Sequence, residues 1–162
     1  MQAQELPTDP QAIRELIRLG KYDGVTGGLA PGYVQANLVI LPKSLAYDFL
    51  LFCQRNPRPC PILEVLEAGK PEPILTTPGA DIRTDIPKYR IFRDGELHEE
   101  VSDINGFWRD DLVSFLLGCS FTFEQALVSA GIPLRNLELS TSVPMYVTSL
   151  KTDPAGAFSG PL

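Results

Sequence analysis

Residues 108–127 read WRDDLVSFLLGCSFTFEQAL. An unbroken apolar stretch follows Arg109-Asp110-Asp111 and stops at Gly118. Acids in a first turn complement the helix dipole, which predicts a helix over 110–117 opened by Arg109-Asp110-Asp111. Cys119 and Ser120 come next, at the break. Thr122 with Gln125 then fits a capping box and predicts a second helix over 122–130, closed by Gly131 and Pro133. Cys119 and Ser120 are thereby placed beside the free N–H donors and positive dipole end of a helix start, where reactive groups are often held. Cys119 is a candidate reactive thiolate there. Cysteine also packs as a small hydrophobe in cores, and residue type leaves both readings open. Glu124 is a general acid/base if buried, or a plain first-turn acid.

Helices and strands interleave on either side of this stretch. Thr8 with Gln11, or Asp9 with Pro10 behind it, opens a helix whose apolar face is Ile13, Leu16 and Ile17 and which ends at Gly20. Residues 24–32, GVTGGLAPG, form a glycine-rich loop, and residues 37–41, NLVIL, a buried strand. Pro42 opens a helix running to about Arg55, with Leu45, Phe49, Phe52 and Cys53 at helical spacing; Pro57 and Pro59 stop it. Residues 62–66 are a short strand, and the prolines at 71, 73 and 78 mark a surface connection. Residues 89–98 read as a hairpin turning on Asp94-Gly95 as a type I′ turn. Residues 136–148 suggest one or two strands interrupted by Pro144, and residues 151–162, KTDPAGAFSGPL, are loop-like: a frayed tail, or the edge of something longer. The expected architecture is α/β, a mixed β-sheet with packed helices, with mixed α+β as the variant, in a single domain over 1–162.

Composition narrows the function. The chain has 162 residues, 44% of them hydrophobic and 21% charged, which suits a core-forming globular domain. Its formal charge is −6 and no basic stripe is visible, so nucleic acid is not the expected partner. An anionic ligand needs arginines or backbone N–H groups against that overall field. Three cysteines, Cys53, Cys60 and Cys119, without a C-x-x-C pair, fit a reducing compartment better than a disulfide framework. The first residues lack the pattern of a secretory signal, and no apolar run approaches membrane-spanning length; a cytoplasmic protein without a membrane partner is expected.

Three further constellations invite chemistry. The glycine-rich loop offers N–H groups for an anion, but it has neither P-loop nor G-x-G-x-x-G spacing and precedes its strand, so a tight turn is the better reading. His98, the single histidine, sits in ELHEE; a solvated strand end fits it better than a metal site, and one histidine disfavours nucleophilic triads. Asp81-Ile82-Arg83-Thr84-Asp85 puts two carboxylates and an arginine on one face if the chain is extended. That arrangement is an arginine clamp for a substrate carboxylate, or a surface ion-pair cluster of little energetic worth.

Several longer strings carry a family resemblance: TGGLAPGYVQANLVILP (26–42), FCQRNPRPCP (52–61), DIRTDIPKYR (81–90), WRDDLV (108–113), GCSFTFE (118–124) and VPMY (143–146). On these the chain resembles the D-glutamate cyclase family, whose bacterial members carry the name hydro-lyase. The resemblance implies an α/β fold with mixed sheets, of which residues 1–162 are the N-terminal portion, the family continuing through an apolar segment with a Met-Arg-Pro signature. It implies a hydro-lyase acting on a small amino or carboxylic acid, joining the amine of D-glutamate to its γ-carboxyl with loss of water to give 5-oxo-D-proline. Placed on the matching motifs, Arg83 is the expected carboxylate clamp, assisted by the N–H groups of Gly27 and Gly28. Asp85 or Glu124 is the expected proton-transfer group, and Cys119 and Ser120 flank the reacting carboxyl. No metal or organic cofactor is expected; the expected partner is the small acid itself, with a homo-oligomer left open. A non-catalytic module that binds a small carboxylate, or an inactive shortened paralogue, is the alternative.

Overall fold

The computed structural model describes residues 6–139, 141 and 145–162, which form two compact units. The first is built from Met1–Tyr33 and Leu66–Leu112, the second from Val34–Val65 and Val113–Leu162. Among the described residues no helix is long and apolar enough to cross a membrane.

In the first unit, helix α1 (Pro10–Arg18) begins at Asp9, whose carboxylate accepts from the Ala12 N–H at 2.9 Å, with proline at the first helical position. Ile13 and Ile17, one turn apart, are its buried stripe. The glycine-rich segment folds into two successive turns, closed by Leu29 N–H to the Thr26 carbonyl and Tyr33 N–H to the Ala30 carbonyl. Gly28 (φ +78°) and Gly32 (φ +88°) sit third in each, where a positive φ is required. Later in this unit a hairpin pairs β3 (Tyr89–Arg93) with β4 (Glu96–Val101) in antiparallel register, with a bulge between Ile91 and Phe92. Asp94 (φ +51°) and Gly95 (φ +83°) give the expected type I′ turn. Buried Tyr89 anchors the hairpin's root: its hydroxyl donates to the Ile82 carbonyl at 2.8 Å, and burial pushes its phenol well above the usual range.

The second unit rests on a three-stranded sheet of order β1-β5-β2, with β1 Ala36–Pro42, β2 Ile62–Leu66 and β5 Leu112–Gly118. The central strand corrects the expectation of a helix over 110–117. Five consecutive buried residues from Leu112 to Leu116 mean burial on both faces, as in the middle of a sheet. A short apolar run is ambiguous between buried helix and buried strand, and here seven residues make a full strand. Asp110 and Asp111 precede it in an exposed loop, where Asp111 pairs with Arg109 at 2.8 Å. On one face of β5, Phe115 meets Phe49 of α2 (Lys43–Arg55) edge-to-face, centroids 4.9 Å apart. Strand β1 is half-buried rather than buried, because it lies at the sheet's edge.

Two more expectations change. Residues 136–148 form no strand among those described; a short helix α4 (Arg135–Glu138) stands there, and residues 140 and 142–144 lie outside the described residues. Residues 151–162 are an ordered loop folded onto α2 rather than a frayed tail. Asn56 accepts from the Asp153 N–H and donates to the Asp153 carbonyl, both at 2.9 Å, and Arg55 donates to the Pro154 carbonyl. Phe158 packs on Phe49 at 5.1 Å, and Ala155 is buried. The mixed α/β architecture is as expected.

Candidate functional site

The segment from Asp81 to Asp85 is a tight turn and not the extended piece expected. The Thr84 and Asp85 N–H groups both donate to the Asp81 carbonyl, at 3.1 and 2.9 Å. The Asp81 carboxylate accepts from the Arg83 N–H, and the Asp85 carboxylate reaches back to the Asp81 N–H, each at 2.9 Å. Aspartate side chains that capture nearby backbone donors favour such turns over strands.

The turn still gathers the charges. Arg83 holds Asp81 through its Nε–Nη2 edge, with Nη2 to Oδ2 at 2.7 Å. That hydrogen bond holds the Asp81 carboxyl below the usual aspartate range and raises the guanidinium further above its own. The Arg83 guanidinium also lies over the Trp108 ring, 5.9 Å from its centroid, and Trp108 Nε1 donates to the Gly69 carbonyl at 3.3 Å.

Asp85 is buried, its side chain 2% exposed, and its acceptor positions are filled. Arg18 of α1 supplies Nε to Oδ1 at 2.7 Å and Nη2 to Oδ2 at 2.6 Å; Thr84 Oγ1 donates to Oδ1 at 3.1 Å, and the Asp81 N–H completes the set. The Arg14 Nε stands 4.0 Å away. Arg18 and Arg14 escaped the sequence reading, although their i, i+4 spacing beside the Ile13–Ile17 stripe marks them as neighbours on one helix face.

A polar cleft of about 530 Å³ opens beside these pairs, lined by Arg18, Glu72, Asp81, Arg83, Thr84 and Asn105 among others. Both arginines grip their carboxylates with the Nε–Nη2 edge, and among the described residues the Nη1 of each makes no hydrogen bond and stays available to another acceptor. Gly27 and Gly28 belong to the same unit but do not line this cleft.

The remaining expected site residues lie in the second unit. Cys119 and Ser120 occupy a strand-to-helix turn, between β5 and α3 (Phe121–Ser129), in place of the expected helix-to-helix junction. The Cys119 N–H donates to the Gln35 carbonyl at 3.1 Å. Ser120 takes the cap position, so Thr122 falls inside the helix and its Oγ1 accepts from the Gln35 N–H at 3.2 Å; the Gln125 side chain of the expected capping box lies outside the described residues. Glu124, half-buried in the first turn, accepts from Asn136 Nδ2 at 3.1 Å. His98 is exposed on β4, 3.4 Å from Glu99.

The family model for D-glutamate cyclase matches residues 113–162. The "Putative hydro-lyase" of Stutzerimonas stutzeri (strain A1501) is 60% identical over 153 residues, 94% of this chain and 58% of that protein. "Putative hydro-lyase YcsI" of Bacillus subtilis (strain 168) is 60% identical over 151 residues, 93% of this chain and 59% of that protein. A like-named protein of Natranaerobius thermophilus is 60% identical over 148 residues, 91% of this chain and 57% of that protein. The chain thus spans about three fifths of the length of the curated relatives it matches. With such identity along nearly all of its own residues, and with residues 113–162 matching the family model, the chain belongs to the D-glutamate cyclase/hydro-lyase family.

Proposed function

We propose that this chain carries the acid-binding machinery of a hydro-lyase for a small amino or carboxylic acid, and that the acid is D-glutamate, cyclised to 5-oxo-D-proline and water. One observation carries the reading beyond family membership. Arg18 and Arg83 line the same polar cleft, each immobilised by a carboxylate on one edge with Nη1 left over. An incoming carboxylate then meets guanidinium groups already held in place, which limits the ordering entropy of binding. Thr84 and Asn105 add neutral polar contacts.

Ring closure needs a neutral amine to attack the γ-carboxyl carbon, a proton for the departing oxygen, and anion binding at the carboxylate that does not react. Arg83 has the last role, with Arg18 beside it. Asp85, with its oxygens filled, is better suited to holding Arg18 than to moving protons. The family resemblance offers Glu124, which accepts from Asn136 Nδ2, as the proton-transfer group. The same resemblance offers Cys119 and Ser120 as hydrogen-bonding groups, and Gly27 and Gly28, which do not line the cleft, have no role in it.

Turnover of D-glutamate and of 5-oxo-D-proline by the purified protein tests this. Arg83→Ala is expected to raise KM by about two orders of magnitude, and Glu124→Gln to lower kcat by about 10²-fold or more. Cys119→Ser is expected to have the smaller effect. Unchanged rates in all three variants remove these assignments. Carboxylate recognition without turnover is the second reading, favoured by the fact that both carboxylates of the turn, Asp81 and Asp85, are tied to arginines. Thermal stabilisation by small acids with no product formed would select it.

A further inference from the structure

Arg14 stands apart from the other arginines of the first unit. Its side chain is 21% exposed, yet among the described residues its guanidinium makes no hydrogen bond, and its nearest carboxylate oxygen, on Asp85, is 4.0 Å from Nε. That carboxylate already has its four donors. The unused N–H donors of Arg14 are available to an acceptor in the space that this side chain lines, and a charged donor makes the stronger kind of hydrogen bond. Beside Arg14 lies a cavity of about 80 Å³, lined by Gln11, Arg14, Glu15, Arg18, Pro78 and Gly79. It adjoins the larger cleft, since Arg18 and Gly79 line both.

We infer that this cavity is a second oxyanion subsite, with Arg14 as its principal donor. The volume admits one carboxylate or one inorganic oxyanion and little else. Arg14 gives the planar fork that such groups accept, and Arg18 lends charge from the shared wall. Glu15 opposes the anion. Its carboxylate is drawn toward Gln11 Nε2 at 3.4 Å and toward solvent, so the opposition is partial. The occupant is either the second carboxylate of an acid that spans both cavities or a separate small anion. The inference rests on the reading of the larger cleft as a carboxylate site.

Calorimetric titration of the whole chain with glutarate, butyrate and inorganic phosphate distinguishes the cases. Glutarate, with two carboxylates and no amine, is expected to bind roughly 10- to 100-fold more tightly than butyrate, the range of one charge-assisted hydrogen-bonded contact. Arg14→Met should bring the two acids within about threefold while leaving butyrate unchanged. Glu15→Gln should tighten glutarate, and Arg14→Lys should retain part of the preference. A separate anion would show instead as phosphate binding at saturating butyrate, abolished by Arg14→Met. Should Arg14→Met not fold, Arg14→Lys and Glu15→Gln decide alone. Equal affinity for glutarate and butyrate with no phosphate site, or a preference untouched by all three variants, overturns the subsite and leaves the cleft standing. Absence of butyrate binding to folded wild-type protein overturns the cleft reading first, and the subsite with it.

Discussion

The Arg18–Asp85 pair makes an asymmetric prediction about stability. The Asp85 carboxylate is 2% exposed, while the Arg18 side chain is 44% exposed. Arg18→Met therefore leaves a buried carboxylate that loses its two shortest hydrogen bonds, at 2.6 and 2.7 Å, and keeps only Thr84, the Asp81 N–H and a distant Arg14. Breaking one side of a buried pair costs about 3–5 kcal/mol. Asp85→Asn leaves a guanidinium that turns into water, and the amide still accepts one or two of the same bonds. Its cost should be about 1.5–3 kcal/mol, that of lost charged hydrogen bonds. For a chain of this size the two values correspond to Tm losses of roughly 6–20 °C and 3–12 °C. Urea unfolding followed by circular dichroism at neutral pH, with the double variant closing the cycle, measures both. The double variant should lie closer to Asp85→Asn than to the sum, since it removes the stranded charge. Losses below about 0.5 kcal/mol for both variants, in the range of surface changes, or Asp85→Asn costing more than Arg18→Met, would refute the reasoning.

Other consequences are quicker to check. Ser114 Oγ is fully buried on the central strand and has no hydrogen-bond partner among the described residues, so Ser114→Ala should be neutral or stabilising by up to about 1.5 kcal/mol in urea unfolding. Burial, with a smaller contribution from Cys60, pushes the Cys53 thiol up to about 11. At pH 8 its thiolate fraction should be roughly 200-fold below that of an ordinary thiol near 8.5, and alkylation at Cys53, followed by mass spectrometry, should be correspondingly slow until the protein is unfolded. Arg83 holds the Asp81 carboxyl below its ordinary value of about 3.9, so the pair's contribution is intact above that value and disappears as the pH falls through the lower folded-state value. The stability difference between wild type and Asp81→Asn should shrink on acidification through that window; a difference that stays constant into strong acid counts against the pair.

Legibility in the sequence followed how local the determining interactions are. Helix α1 was readable because Asp9, Pro10 and the Ile13–Ile17 spacing lie within two turns. The hairpin was readable because Asp94-Gly95 demands positive φ at both positions. Strand β5 was not, because its identity depends on β1 and β2 covering both its edges, and LVSFLL carries no period that separates a fully buried strand from a helix. The loop over 151–162 depends likewise on α2, reached through Asn56 and Phe158. At the candidate site, Asp81, Arg83 and Asp85 were visible as a charge cluster, but not as a turn whose backbone donors the aspartates capture. Arg14 and Arg18 enter only once α1 is set against that turn, an adjacency 67 residues long in sequence.

The charge balance of the cleft also bears on how a ligand is recognised. Arg14, Arg18 and Arg83 face Glu15, Glu72, Asp81 and Asp85, so the two adjoining cavities carry no net positive charge within a chain of formal charge −6. Long-range attraction therefore contributes little to capturing an acid, and binding has to come from short hydrogen bonds to guanidinium groups already fixed in place. Screening acts mainly beyond a Debye length of about 10 Å at 0.1 M salt and hardly touches contacts of that kind. Butyrate affinity measured from 50 to 500 mM NaCl should accordingly fall by less than about threefold, where a site dominated by net charge would lose much more. A steep salt dependence would mean that unpaired positive charge, rather than prearranged donors, does the binding, and the carboxylate partners of Arg18 and Arg83 would then be obstacles to the ligand instead of supports for it.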